Sequence, residues 1–226
     1  MAKTTPHLIP LELSDEGRRV TSLTNAIKMI TNRGYIKEQQ VKSAIEIVTK
    51  RTEEDIYKVK LDTDIVINKN EYINADYKYT DVYLKYIDQQ ISAMGKNSNL
   101  SSFLQKYQNN KKIIIVGKIS PKIKQTIDQQ YPNTEVFSIN ELLANKVDHI
   151  LVPKHILLSE EESNEVISAY NARKKDMPKI LKTDPIARYY NMPVGRVCKI
   201  IRNSETSGEC PFYRLVKDSH TDFETV

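Results

Sequence analysis

Tryptophan is absent from this chain of 226 residues, cysteine occurs twice and glycine only six times. Two thiols cannot build the cross-linked framework of a small secreted domain, so the fold must rest on a packed core, and a reducing compartment is expected. Cys198 and Cys210 flank a hairpin pattern, which leaves a bridge and two idle thiols both open. Long apolar runs are missing as well. The longest purely aliphatic stretch is Ile113-Ile114-Ile115-Val116, far short of the roughly 20 apolar residues that a membrane span needs. The opening residues lack the apolar core of a secretory signal behind their basic start, so no such signal is expected. No Gly-rich phosphate loop, Cys-x-x-Cys or His-Glu-x-x-His occurs, and those are the patterns that announce nucleotide, redox or zinc chemistry. His149 and His155 have Pro153 between them, so no regular helical or strand face presents both to a metal. Neither a metal nor a cofactor is expected.

What remains is an ordinary globular composition. The chain is 39% hydrophobic and 28% charged, enough to bury a core in one large domain or two modest ones. Its net charge of +5 permits a surface near nucleic acid, although a chain that grips phosphates on its own shows a clearer basic stripe.

Prolines at 6 and 10 oppose helix, so residues 1–16 read as an extended arm. Val20, Leu23, Ile27 and Ile30 recur at helical spacing, and Gly34 follows as a left-handed cap. Val41, Ala44, Ile45 and Val48 mark a second helix. Beyond Lys50 the pattern turns to β, with a strand at Asp64–Ile67, an ambiguous Tyr-rich stretch at Tyr72–Tyr86 and a polar loop at Gly95–Ser102. Lys111–Gly117 is the clearest buried strand. A helix opening at Ser120-Pro121 and a strand at Glu135–Phe137 complete a βαβ pattern.

A differently built segment starts near residue 148. Ser159 and Glu162 have the spacing of a capping box, with Val166, Ile167 and Tyr170 on the apolar face behind it. Asp184-Pro185 opens a short helix over Ile186–Tyr190, and losing the Asp184 cap should cost roughly 1 kcal/mol. Arg196–Arg202 and Phe212–Val216 read as strands joined by the polar turn Asn203–Gly208, where Gly208 is expected at positive φ.

Two charge patterns bear on function. Asp64, Asp76 and Lys78 loosely fit a Mg²⁺-dependent nuclease arrangement, in which two carboxylates hold the metal and the lysine stabilises charge on the attacked phosphate; the spacing is permissive, and solvated strand-end charges are the favoured reading. Between Arg173 and Arg202 nine basic residues face only Asp176 and Asp184. Such a surface suits an acidic partner protein, a phosphate backbone, or simple solvation.

The residues of the second segment also carry a family resemblance. His149-Ile150-Leu151-Val152-Pro153-Lys154-His155, the block Leu158–Glu162, Leu181–Tyr190 and Val197–Gly208 through Tyr213–Val216 together resemble the fifth common subunit of eukaryotic DNA-dependent RNA polymerases, which has a shorter archaeal homologue. Asn32-Arg33-Gly34-Tyr35 at the end of the first helix is similar to the opening of the eukaryotic form. The resemblance implies an α+β / α/β architecture: an arm over 1–16, an N-terminal α/β jaw domain over 17–146 with nuclease-like topology, a small C-terminal α/β assembly domain over 147–216, and a flexible tail over 217–226. It further implies a non-catalytic polymerase subunit. The assembly domain would dock on the largest subunit and be incorporated on its own, among the other polymerase subunits. The jaw would border downstream duplex DNA, binding it weakly and without contact to a membrane.

On that reading Asp184, Arg188, Tyr189, Arg202, Glu205, Thr206, Tyr213 and Arg214 are the expected partner-facing residues, because arginine tolerates partial burial against bidentate acceptors. Lys111, Lys112 and Lys118 are the expected DNA-proximal ones. A cellular source would place the protein in the nucleus, a large DNA virus in its cytoplasmic factory or virion. A nuclease on the N-terminal domain and a free DNA-binding regulator are the alternatives.

Overall fold

The computed structural model describes residues 13–61, 81–92, 95, 98–204 and 208–218. The expected strand at Asp64–Ile67, the acidic pair Asp64 and Asp76 with Lys78, and Glu205 and Thr206 therefore lie outside the described residues. The chain divides into two compact units: residues 13–27, 39–60 and 81–144 build the first, and residues 28–38 join 145–218 in the second.

Helix α1 (Asp15–Asn32) starts earlier than the expected arm allows. The Ser14 hydroxyl accepts the Gly17 amide at 3.1 Å, closing the first turn as an N-cap does. Helix α2 (Glu38–Thr49) buries Ala44 and Val48. Strand β1 (Ile56–Lys60) runs antiparallel to β2 (Asp81–Ile91), and β2, β3 (Lys111–Ile119) and β4 (Thr134–Ser138) are parallel in the order β1-β2-β3-β4. The polar stretch read as a loop instead enters helix α3 (Asn99–Lys106). Ser98 caps it by accepting the Ser101 amide, and Leu100, Phe103 and Leu104 form its buried stripe. Helix α4 (Pro121–Gln130) opens at Pro121 as the sequence predicts.

Helices α3 and α4 cover one face of this sheet, packing Phe103, Leu104, Ile123 and Ile127 on Ile114, Val116 and Val136. The alternate residues Leu84, Ile113 and Ile115 are buried as well, so β3 is apolar on both faces as parallel central strands are. Arg19 of α1 secures the second face. Its guanidinium donates to the Tyr57 hydroxyl of β1 and to the Val48 and Thr49 carbonyls ending α2, while Glu16 balances its charge. Helix α5 (Ile139–Leu143) has a capping box from Ser138 and Glu141, and Asn25 of α1 donates to its Leu142 carbonyl at 2.7 Å. Gly117 sits at a close approach: a Cβ there would stand 3.3 Å from the Gln89 carbonyl, at the register shift in β2 between Ile87 and Gln90, so a side chain would need the strand to give by a few tenths of an ångström.

The second unit holds a sheet ordered β5-β7-β8-β6, from β5 (Lys154–Leu157), β6 (Lys179–Leu181), β7 (Val197–Ser204) and β8 (Gly208–Lys217). Helix α6 (Glu160–Ala169) begins with the expected Ser159/Glu162 box, and its Val166 and Ile167 pack against Leu158, Met177, Val197 and Leu215. Tyr170, placed on that apolar face by spacing, lies 63% exposed at the helix end. Helix α7 (Pro185–Tyr189) covers the opposite face, where Ala187 and Met192 meet Ile180, Cys198, Ile200 and Val216.

The β7–β8 hairpin is longer than expected. Asn203 and Ser204, expected in the turn, pair with Glu209 and Gly208, and Gly208 has φ +67°. Lys217, assigned by sequence to the tail, closes β8 and accepts the Lys182 amide at 2.8 Å.

Candidate partner-binding site

The arginines expected to face a partner are set by the hairpin register. Cys198 stands opposite Arg214, Ile200 opposite Phe212 and Arg202 opposite Cys210, and strand alternation puts these residues on one face. The end near α7 is buried. Arg214, across from Cys198 at that end, is nonetheless exposed, and toward the turn the same face opens to solvent, with Arg202 exposed and its guanidinium lying 3.9 Å from the centroid of the Phe212 ring. Phe212 is itself 41% exposed. A half-open aromatic held under an arginine combines apolar area with a fixed cation, as protein interfaces do. The sequence pattern does not single out Phe212, because its pairing with Arg202 crosses the ladder diagonally and appears only once the register is known.

The remaining expected residues fall elsewhere. Asp184 Oδ1 accepts the Ile186 amide at 2.8 Å, which makes it the cap of α7. Tyr189 is buried, and its hydroxyl accepts from Asn32 at 2.9 Å. Burial pushes that phenol above its ordinary pKa. Arg188 and Tyr189 offer their backbone carbonyls to Arg33, so the structure uses the backbone of this pair. Tyr213 is on the opposite face of β8, packed against the α6 cluster and 5.9 Å from the Tyr170 ring. Cys198 and Cys210 are not bridged. Burial pushes the Cys198 thiol up to about 11, so it stays protonated and inert at neutral pH. The basic run between Arg173 and Arg202 is spread over several elements, and Arg173 is held by Asp176 at 2.7 Å.

The three expected DNA-proximal lysines also separate. Lys111 pairs with Glu135 at 2.8 Å. Lys112 is wholly buried, and its ammonium donates to the Tyr107, Gln108 and Asn110 carbonyls at 2.7, 3.2 and 3.1 Å. An ammonium has three donors, and here all are used to close the end of α3. Desolvation, aided by the neighbouring Lys111 cation, lowers its pKa to about 8. Lys118 is exposed on β3. Among the described residues no group of three or more His, Cys, Asp or Glu is placed to hold a metal ion, and no helix is long and apolar enough to cross a membrane.

The chain thus comprises two compact α+β units, the second presenting a strand hairpin with an arginine–aromatic face. Residues 144–216 match the family model described as "RNA polymerase Rpb5, C-terminal domain". The chain is 42% identical over 113 residues to "DNA-directed RNA polymerases I, II, and III subunit rpabc1" of Dictyostelium discoideum, covering 48% of this chain and 57% of that protein. It is 40% identical to subunit RPABC1 of Caenorhabditis elegans over 48% of this chain and 54% of that one. It is 36% identical to "DNA-directed RNA polymerase subunit 5" of Acanthamoeba polyphaga mimivirus, over 60% of this chain and 66% of the viral protein. The chain thus matches little more than half the length of the cellular relatives. Its relatives are subunits of RNA polymerases, cellular and viral, and none of their names supports a nuclease.

Proposed function

We propose that this chain is a non-catalytic subunit of a multisubunit DNA-directed RNA polymerase. The observation that carries this reading is the family match over residues 144–216, which coincides with the unit that displays Arg202, Phe212 and Arg214 on an open hairpin face. That unit docks on the largest subunit, with the hairpin face in the contact and the other polymerase subunits as neighbours. The first unit forms a jaw beside downstream duplex DNA, with Lys118 toward the backbone. Its few phosphate contacts are useful only when the large subunits hold the duplex nearby, so the isolated chain binds DNA weakly. In a cellular enzyme the protein is nuclear; in a large DNA virus it belongs to the viral factory or virion.

Mild affinity purification of the chain from its native source, followed by mass spectrometry, tests this. Two large polymerase subunits at equal stoichiometry are expected. Recovery of the chain by itself would overturn the reading, as would DNA cleavage by the purified chain with Mg²⁺ that Asp64→Ala abolishes.

A further inference from the structure

The β7–β8 hairpin outgrows its sheet. On one side β5 reaches only as far as Lys154, opposite Ile201. On the other, β6 pairs with Leu215, Val216 and Lys217 alone. Among the described residues no strand flanks Arg202–Ser204 or Gly208–Cys210, so these residues form a projecting ribbon of two strands. Pro211, which has no amide hydrogen for a ladder, fits the open edge of β8 beside it.

An antiparallel sheet with one wetted face alternates apolar and polar residues. This hairpin does not alternate. Ile200 and Ile201 are consecutive in β7, and so are Pro211, Phe212 and Tyr213 in β8. Residues directly opposite share a face, and the register sorts these into two sets. One face has Ile200 with Phe212 and Arg202 with Cys210; the other has Lys199 with Tyr213 and Ile201 with Pro211. Strand β5 widens the second face, setting Ile156 beside Lys199 and Lys154 beside Ile201. Helix α7 covers the first face only as far as Ile200. Helix α6 covers the second at Val197 and Leu215, with Tyr213 at its margin. Beyond the helices Pro211 and Phe212 are exposed, and Ile156, Ile201 and Tyr213 are half-buried. Apolar side chains thus meet water on both sides of one projection, the pattern of a contact surface.

The charge on this projection is of one sign. Arg202 and Arg214 stand on the first face and Lys154 and Lys199 on the second, while Glu209 is the single carboxylate in the two hairpin strands. Among the described residues none of these four cations forms an ion pair.

We propose that the β7–β8 hairpin is inserted into a cleft of a second protein and gripped on both faces, not laid against it by one. The cleft has apolar walls that meet Phe212 on one side and Ile201, Pro211 and Tyr213 on the other, and carboxylates that meet the four cations. The inference deepens the docking of this unit, and it rests on the polymerase role only for the expectation that the cleft belongs to a polymerase subunit.

Hydroxyl-radical footprinting tests it, on the free full-length chain and on the complex recovered from the native source. Pro211, Phe212 and Tyr213 report the two faces in turn, because successive strand residues point to opposite sides. All three are expected to react at least roughly threefold more slowly in the complex, as residues at the dry centre of an interface do. Protection of Phe212 alone would overturn insertion, and so would protection of Pro211 and Tyr213 without Phe212, or of none. Lys199→Glu and Lys154→Glu should each reduce recovery in the complex roughly tenfold while leaving the free chain's melting temperature unchanged. Undiminished recovery of both would overturn the acidic wall. Polymerase subunits in a complex that protects one face would sink only the insertion. Protection of both faces in a complex of other proteins would sink only the polymerase role.

Discussion

Arg33 and Tyr189, 156 residues apart in sequence, are joined by a 2.7 Å hydrogen bond from Arg33 Nε to the Tyr189 carbonyl. Arg33 Nη2 reaches the Arg188 carbonyl at 3.0 Å, and the neighbouring Asn32 donates to the Tyr189 hydroxyl. Helix α7 is thereby held at both ends: Asp184 accepts an amide at its start, and a guanidinium meets the carbonyls at its finish, the sign that each end of a helix favours.

Arg33→Ala should lower the unfolding free energy by about 2–3 kcal/mol, because it leaves buried carbonyls at the end of α7 without donors. Arg33→Lys should recover little of this, since a single ammonium cannot reproduce a two-pronged contact. Urea unfolding of the three proteins reads both effects. By the same argument, a fragment limited to 147–216 should fold with lower stability than the corresponding unit of the full chain.

Asp184→Ala should cost roughly 1 kcal/mol, and Asp184→Asn much less, because an asparagine oxygen can accept the same amide. Thermal melts of the two variants separate capping from any charge effect of the carboxylate.

Lys112→Met should destabilise the first unit, and the loss should depend on pH. Removing the ammonium leaves three carbonyls unmet, about 1–3 kcal/mol at neutral pH once the relief of a buried charge is set against it. The sign of the pH dependence follows from the lysine's pKa, which falls from 10.5 unfolded to about 8 folded. Between those values the unfolded chain binds more protons, so wild-type stability rises with pH relative to Lys112→Met. Below about 8 the difference is flat. Denaturant midpoints of both proteins at intervals from pH 7 to 10 give the comparison, and a wild-type advantage that shrinks over this range would contradict the assignment.

Phe212→Ala and the double variant Arg202→Ala/Arg214→Ala should change the free chain's stability by less than about 0.5 kcal/mol, since the side chains are open to solvent. Their recovery with polymerase subunits should fall severalfold. Loss of stability without loss of recovery would assign this face to the fold alone.

Local chemistry made much of the architecture legible. Ile113–Val116, bounded by lysines and Gly117, reads as a central strand because both of its faces are apolar. Ser159/Glu162 and Asp184-Pro185 announce helix starts because capping acts within a few residues. The same locality hid α3: Gly95–Ser102 is polar enough to read as a loop until Ser98 is seen as a cap and Leu100, Phe103 and Leu104 as a stripe. Lys112 reads as a charge at the boundary of a strand, since nothing in its neighbourhood reveals that carbonyls across a turn will enclose it. Arg33 stands in a recognisable block, yet its partners lie far along the chain. The expected partner surface was legible in its arginines, whereas Phe212 and the inward turn of Tyr189 depend on the hairpin register and on the packing of α7.

The second unit draws on residues 28–38 as well as on the stretch after 144. During synthesis Arg33 leaves the ribosome long before Tyr189 exists, so the last turns of α1 must wait for a partner made 156 residues later. Vectorial folding can complete the first sheet early, but the small unit closes only once α7 and the strands after it have been made. A nascent protein arrested before α7 would carry an unsatisfied guanidinium, a feature by which an incomplete product could be told from a finished one.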